Sequence, residues 1–472
     1  MNINSCSKFK TPGKQPGEQP VIIIGAGLSG LACAVTLIEH GYQVCLLESA
    51  RHTGGRARSV KFKAQFSNQA VDNGQHIMLG AYHYTRSLFK SLGLKEADIL
   101  QQQTLELKMF APDKPCIHLK APHLPAPSHL LMALLRTNGL SFLERIRAIK
   151  MALKLALSGY NLKQDMSVQD LLTQYQQSGK IISALWEPLC LATMNTPIKY
   201  ASGQVFLNVL KDSFSRRRRD SDLLFFKFDL SRIFSTPAVQ FINQYKSQVI
   251  CRSKVTEVQI SPSEQNTSIF NFCVNTSQGN YQSQHLVLAT PPGITEKLLH
   301  SVTNRNTVQK QSFLMPKDAS LVYSYEPICT IYLQYPAHIK LPQRMIGFFH
   351  SSGQWAIDRS LNQQPGLIAV VISGPGKHIG MPPEQLVETI HNELCLAIAD
   401  LPTVIESKII TEKRATFSCR INIEQQRPAN QTLIPGLYLA GDYTDTGYPS
   451  TLEGAIKSGI SAARHLIQSN RL

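Results

Sequence analysis

Three glycines and one acid near the start of the chain have the types and spacing to hold a dinucleotide. Gly25, Gly27 and Gly30 form the pattern GxGxxG, and Glu48 follows about 20 residues on. The first glycine permits a tight turn, the second lets the backbone approach a pyrophosphate, and the third lets a helix pack on a strand. Leu28 and Ser29 sit inside this turn and belong to the same cofactor-binding set. A carboxylate at Glu48 can accept hydrogen bonds from ribose hydroxyls. Immediately after it comes SARHTGGRARS. There Gly54 and Gly55 let the backbone lie against a ligand, and Arg56 and Arg58 present planar forks to phosphate oxygens.

Such groups need a strand, a helix and a second strand to position them. Residues 21–24 (VIII) are β-branched throughout and predict a buried parallel strand. Residues 31–39 predict a helix with small and apolar side chains toward the sheet, ended by Gly41. Residues 43–47 predict the second strand, with Glu48 at its tip. Glycines alone would be a weak signal. Strand, helix, second strand and acid together meet the full fingerprint.

The 472 residues allow two domains or one large discontinuous one, and 43% hydrophobic with 17% charged content predicts a real core. Ten cysteines without a CxxC or a Cys/His cluster point away from zinc and dithiol chemistry, so no metal site is expected. Scattered thiols suit a reducing compartment. Residues 1–19 are polar and rich in Pro, Gly and Lys, which predicts a flexible tail rather than a signal peptide. No apolar run is long enough to span a bilayer, so a cytoplasmic location is expected. A net charge of +16 suits an anionic partner surface or simple solubility. No nucleic-acid-binding motif accompanies the charge, so nucleic acid is not expected as a partner. The stretch 129–160 has leucines at helical spacing interleaved with Arg136, Arg145, Arg147, Lys150 and Lys154. That pattern fits helices lying in a membrane interface, or a helical cap whose apolar face is core.

The GGR loop resembles that of the flavin-dependent amine oxidase and carotenoid desaturase superfamily, which implies FAD rather than NAD. LYLAGDYTDTGYPSTLEGAIKSG (437–459) resembles that superfamily's closing segment. The resemblance places Gly441 and Asp442 near the ribityl chain. It aims the helix beginning at Thr451 and Leu452 at the cofactor, with Glu453 and Ala455 from the EGA triplet close to the flavin. KVTEVQI (254–260) resembles the adenine-side strand, with Val255 as the contact, and HLVLATPP (285–292) the strand before a Pro-Pro turn. VDNGQHIMLGAYHYT (71–85) resembles the loop beside the flavin ring, bringing Gly74 and Gln75 to the cofactor. Together with LWEPLCLATMNTP (185–197), these segments resemble the squalene-associated FAD-dependent desaturases, read as hydroxysqualene dehydroxylases. Two features depart from that pattern: the four arginines at 216–219, and Phe225-Phe226-Lys227 in place of a proline-containing turn. The arginine run reads as a solvated loop or as a dock for anionic headgroups.

The resemblance implies an α/β fold: a Rossmann-like FAD/NAD(P)-binding domain of the two-dinucleotide-binding-domain type with an inserted α+β substrate domain. The expected cofactor domain is discontinuous (20–95, 245–300 and 415–472), and the substrate domain comprises 96–244 and 301–414. The strands ICTIYLQY (328–335) and GLIAVVISG (366–374) belong to the latter. The implied reaction removes the hydroxyl of hydroxysqualene. Acid-assisted loss of water gives an allylic cation, which takes hydride from N5 of reduced FAD. His76, Tyr448 and Asp445 are candidate proton donors because their motifs fall beside the flavin, and Glu187 is a further candidate. A phytoene-type desaturase and a non-catalytic membrane flavoprotein are the competing readings. The expected partners are a long isoprenoid, an unidentified reductant of the flavin, and an anionic membrane met peripherally on its inner face.

Overall fold

The structure is a computed structural model, and it describes residues 19–61, 70–112, 114–262, 270–303 and 323–470. All but the last residue of the expected N-terminal tail lie outside the described residues.

At the centre is a five-stranded parallel sheet ordered Gln248–Ile250, Val44–Leu47, Val21–Ile24, Leu286–Leu288, Leu437–Leu439. This is the 3-2-1-4-5 order of a doubly wound dinucleotide fold. The VIII, VCLL, LVL and LYL strands are buried along their whole length, as strands covered on both faces must be. On one face the first helix, Leu28–Glu39, packs against the closing helix, Leu452–Ser469. Their approach is close enough that a Cβ on Gly459 would stand 2.0 Å from the Ser29 carbonyl oxygen. The two ends of the chain therefore meet through a backbone-to-backbone contact that only glycine permits. Val255–Pro262 opens an antiparallel three-stranded meander with Phe270–Thr276 and Gly279–Ser283.

A seven-stranded mixed sheet makes the second layer, ordered Glu406–Phe417, Tyr325–Gln334, Leu367–Ser373, Trp355–Asp358, Met345–Phe348, Glu106–Ala111, Lys114–Lys120. Ile328 pairs with Ser373, so the two expected β segments are direct antiparallel neighbours. Helix Pro383–Leu394 covers one face through Leu386, Ile390 and Leu394. Helices Ser128–Arg136, Phe142–Leu157, Glu187–Met194 and Gly203–Phe214 stand on the opposite side. Pro197 falls in the turn between the last two of these, after Asn195 takes a left-handed conformation (φ +50°). Phe225-Phe226 ends the strand Leu223–Phe226, which lies between Met78–Leu79 and Leu100–Gln103. Sheet pairing thus occupies the place where a proline-containing turn was expected.

Candidate functional site

The first glycine turn divides its labour. A Cβ on Gly25 (φ +107°) would meet the Ala289 carbonyl oxygen at 2.5 Å, and one on Gly30 would meet the Gly25 oxygen at 1.9 Å. Both glycines are required by packing. Gly27 differs: its backbone is extended (φ −72°), and an added Cβ would find nothing within 4 Å. The space beside it is the floor of a cavity. Ser29, in the first turn above that floor, is 5% exposed, and its Oγ has no hydrogen-bond partner among the described residues. First-turn N–H groups also lack intrahelical acceptors, so the geometry suits a phosphate oxygen. At the neighbouring strand tip, Glu48 accepts from the Ala26 and Ala50 N–H groups, both at 2.8 Å. Those bonds fix the carboxylate and leave lone pairs for ribose hydroxyls.

The second glycine loop is stitched to the first, since the Gly54 N–H donates to the Ala26 oxygen at 2.8 Å. From it Arg56 reaches Asp442 of the closing segment, Nη2 to Oδ1 at 2.7 Å. Burial alone would raise the Asp442 carboxyl, yet Arg56 and Ser450 hold it below the ordinary carboxylate value. Arg58 instead folds back to the Gly55 oxygen at 2.6 Å. Arg427 braces the closing turn from behind, donating to the Asp442 oxygen (2.9 Å), Thr446 Oγ1 (2.6 Å) and the Tyr448 oxygen (2.7 Å). Thr451 caps the closing helix by accepting from the Gly454 N–H at 3.1 Å.

From this cradle a single cavity of about 1460 Å³ runs between the two sheets and under the helices. Ligand pockets commonly span about 300–1,000 Å³, so there is room for a dinucleotide and a second long molecule. Away from the cradle the walls are mainly hydrocarbon, including Leu107, Met109, Leu134, Met151, Leu189 and Trp355. The two ends of the cavity thus have opposite chemistry.

The sequence profile of flavin containing amine oxidoreductase matches residues 28–467. The chain belongs to the flavin-containing amine oxidoreductase family. It is 24% identical over 451 residues to the hydroxysqualene dehydroxylase of Zymomonas mobilis, covering 93% of this chain and 97% of that one. It is also 24% identical over 498 residues to the 15-cis-phytoene desaturase of Glycine max, covering 99% and 82% respectively. Among solved structures, cyclohexylamine oxidase from Brevibacterium oxydans superposes with a TM-score of 0.66 at 14% identity, covering 97% of this chain and 100% of that one.

As a member of this family the chain is an FAD-dependent oxidoreductase, and its cradle fits that cofactor. Of the residues assigned to FAD from sequence, all but Gly30 and Glu453 line the cavity. Gly30 serves packing. Glu453 is a correction: it is 1% exposed and turns away, accepting from the Tyr84 N–H (2.8 Å), the Thr85 N–H (2.9 Å) and Thr85 Oγ1 (2.7 Å). Those donors open the helix His83–Ser91, so Glu453 joins two helices rather than touching the flavin. Burial raises its carboxyl to about 7.

Of the four candidate proton donors, only His76 lines the cavity. Tyr448 donates its hydroxyl to Asp212 Oδ2 at 2.6 Å, away from the cavity. Asp445 is exposed at the surface. Glu187 stands outside the cavity, although its neighbours Trp186 and Pro188 line it. These three are corrected by side-chain direction. His76 Nδ1 bonds to the Gly74 oxygen at 2.7 Å. A carbonyl only accepts, so Nδ1 carries the proton and Nε2 has its lone pair available. Burial lowers the His76 pKa below its ordinary 6.5, and Arg56 adds to this against the opposing Gly74 bond and Asp72.

Sequence reasoning missed Arg359. It is 1% exposed and pairs with Asp72 at 3.3 Å, while also donating to Gln75 and, at 2.6 Å, to Gln364. Asp72 further accepts from the Leu230 N–H at 2.8 Å, and its backbone oxygen accepts from Tyr332 Oη at 2.9 Å. This buried cluster holds both ends of the 72–75 loop that carries His76. No local pattern signals it, because Asp72 and Arg359 are 287 residues apart.

Proposed function

We propose that this FAD-dependent oxidoreductase removes the hydroxyl of hydroxysqualene reductively, giving squalene and water. The observation that supports it most is the continuity of one cavity from the glycine cradle into a hydrocarbon-walled chamber large enough for a second long molecule. The dehydroxylase named among the relatives, matched over nearly its whole length, agrees with this reading. FAD, when bound and reduced, supplies hydride to the carbon that loses oxygen. The chain's own residues do the rest. Leu107, Met109, Met151 and Leu189 exclude water and hold an apolar chain in line. His76, protonated at Nε2, gives that proton to the departing hydroxyl as the C–O bond breaks, and returns to the neutral form fixed by the Gly74 carbonyl. Its lowered pKa makes the protonated ring a stronger acid. The Arg359 cluster keeps the His76 loop in place.

A polyene desaturase is the second reading, favoured by the phytoene desaturase relative, and it would run the flavin in the opposite direction. Anaerobic, photoreduced protein mixed with hydroxysqualene tests the choice through flavin absorbance. Reoxidation by the alcohol is the expected result. Reduction of oxidised flavin by a phytoene-type polyene, with no response to the alcohol, would replace the proposal by desaturation. A flavin silent to both would indicate a binding protein.

A further inference from the structure

Helix Phe142–Leu157 has two apolar faces. The inner one sets Met151, Ala152 and Leu155 against the cavity. On the outer side Phe142 is 70% exposed, Leu143 56%, Leu153 46% and Leu157 89%. Scattered exposed leucines need no explanation, but four such residues on one helix do. Lys150 and Lys154 are exposed among them. Glu144, the helix's one acid, is engaged by Ser141 and Ser178 at its N-terminus. The preceding helix Ser128–Arg136 adds exposed Leu135 and Arg136, and is tied to its neighbour by Arg145 donating to the Leu135 oxygen at 3.2 Å.

The arginine run is fastened to the same pair of helices. Arg218 is anchored on the buried Asp222 at 3.1 Å and Arg216 pairs with Asp212 at 3.2 Å, which leaves Arg217 and Arg219 as the exposed arginines of the run without an acidic side chain in a salt bridge among the described residues. Ser221, in the same turn, bonds through Oγ to Nε2 of the fully buried His129 at 3.1 Å, and His129 belongs to helix Ser128–Arg136. Two basic features far apart in sequence are therefore fastened to one helical scaffold.

We propose that this scaffold docks on an anionic bilayer, with Phe142, Leu143, Leu153 and Leu157 entering the acyl boundary and the lysines and arginines meeting headgroup phosphates. A symmetric contact with a second copy would set these same positive charges against each other. The consequence, which rests on the proposed function, is that helix Phe142–Leu157 would separate a lipid-dissolved isoprenoid from the reaction cavity.

The test uses the FAD-loaded full chain and flotation with vesicles of phosphatidylcholine, alone or mixed with phosphatidylglycerol. Binding to the mixed vesicles and release by salt are expected. Arg217→Ser with Arg219→Ser should weaken binding about fivefold for each charge. Phe142→Ser with Leu157→Ser should weaken it about tenfold or more. Flavin content and turnover of detergent-dispersed substrate should stay unchanged in both variants. No vesicle binding, equal binding to pure phosphatidylcholine, or unaltered binding by the variants overturns the proposal. So does a solution dimer that Phe142→Ser with Leu157→Ser dissolves. Vesicle binding without any response of the flavin to hydroxysqualene would sink the assigned reaction and leave the docking face standing.

Discussion

Replacing Gly27 by alanine should separate cofactor contact from folding. The position is extended, φ −72° and ψ 177°, which any residue adopts, and its new Cβ would touch no protein atom within 4 Å. Gly→Ala at such a site stabilises the apoprotein by about 0.4–1 kcal/mol through the unfolded chain. The same methyl would intrude where a pyrophosphate must approach the backbone. Overpacking of this size costs about 1–3 kcal/mol, a loss of FAD affinity of about 5–150-fold. Gly30→Ala is the control, since its Cβ would lie 1.9 Å from the Gly25 oxygen and 3.2 Å from Ala289 Cβ. That variant should lose apoprotein stability before any cofactor is added. Thermal unfolding of the apoproteins, with FAD titration followed by flavin fluorescence, reads both effects. Wild-type FAD affinity in Gly27→Ala, or a lowered apo Tm, would refute the cradle as described.

Other perturbations bear on the site's supports and chemistry. Arg359→Met should destabilise the protein by about 3–5 kcal/mol in denaturant unfolding, because it leaves the buried Asp72 without its counter-charge; adding Asp72→Asn should recover part of that loss. His76→Ala should slow single turnover with prereduced flavin by about 10²–10⁴-fold at unchanged flavin content, whereas Tyr448→Phe should leave it near wild type. The wild-type rate should fall as pH rises through an apparent pKa below 6.5. Glu453 makes stability depend on pH. Its folded pKa is raised from 4.5 to about 7, so its contribution is full below pH 4.5 and is lost as pH rises toward 7, by ~3 kcal/mol. Denaturant unfolding across that window should show the slope, and Glu453→Gln should flatten it.

The cofactor half of this site was readable in the sequence because its geometry is local. Gly25 to Glu48 lie within one βαβ unit, where strand, turn and helix fix which atoms face the ligand. The closing segment was readable as one strand, one turn and one helix start, while its assignment to the cofactor came from the family resemblance. Side-chain direction was not. Tyr448 and Glu453 sit within the motif, yet Asp212 draws one away and the start of helix His83–Ser91 the other. Glu187 illustrates the rule on a helix: residues on either side reach the cavity while it does not. Arg359 and Arg427 carry no pattern of their own, since each acquires its role from partners that only the folded chain assembles.

In the proposed reaction hydride passes from the flavin cradle to a carbon held in the apolar chamber. Protein photoreduced anaerobically in D2O, given one equivalent of hydroxysqualene and analysed by mass spectrometry of the lipid product, tests this most directly. Squalene bearing one solvent-derived deuterium on carbon is the predicted result, since the flavin N5 hydrogen exchanges with solvent before transfer. Squalene without deuterium, or unchanged alcohol beside a flavin that stays reduced, would contradict it.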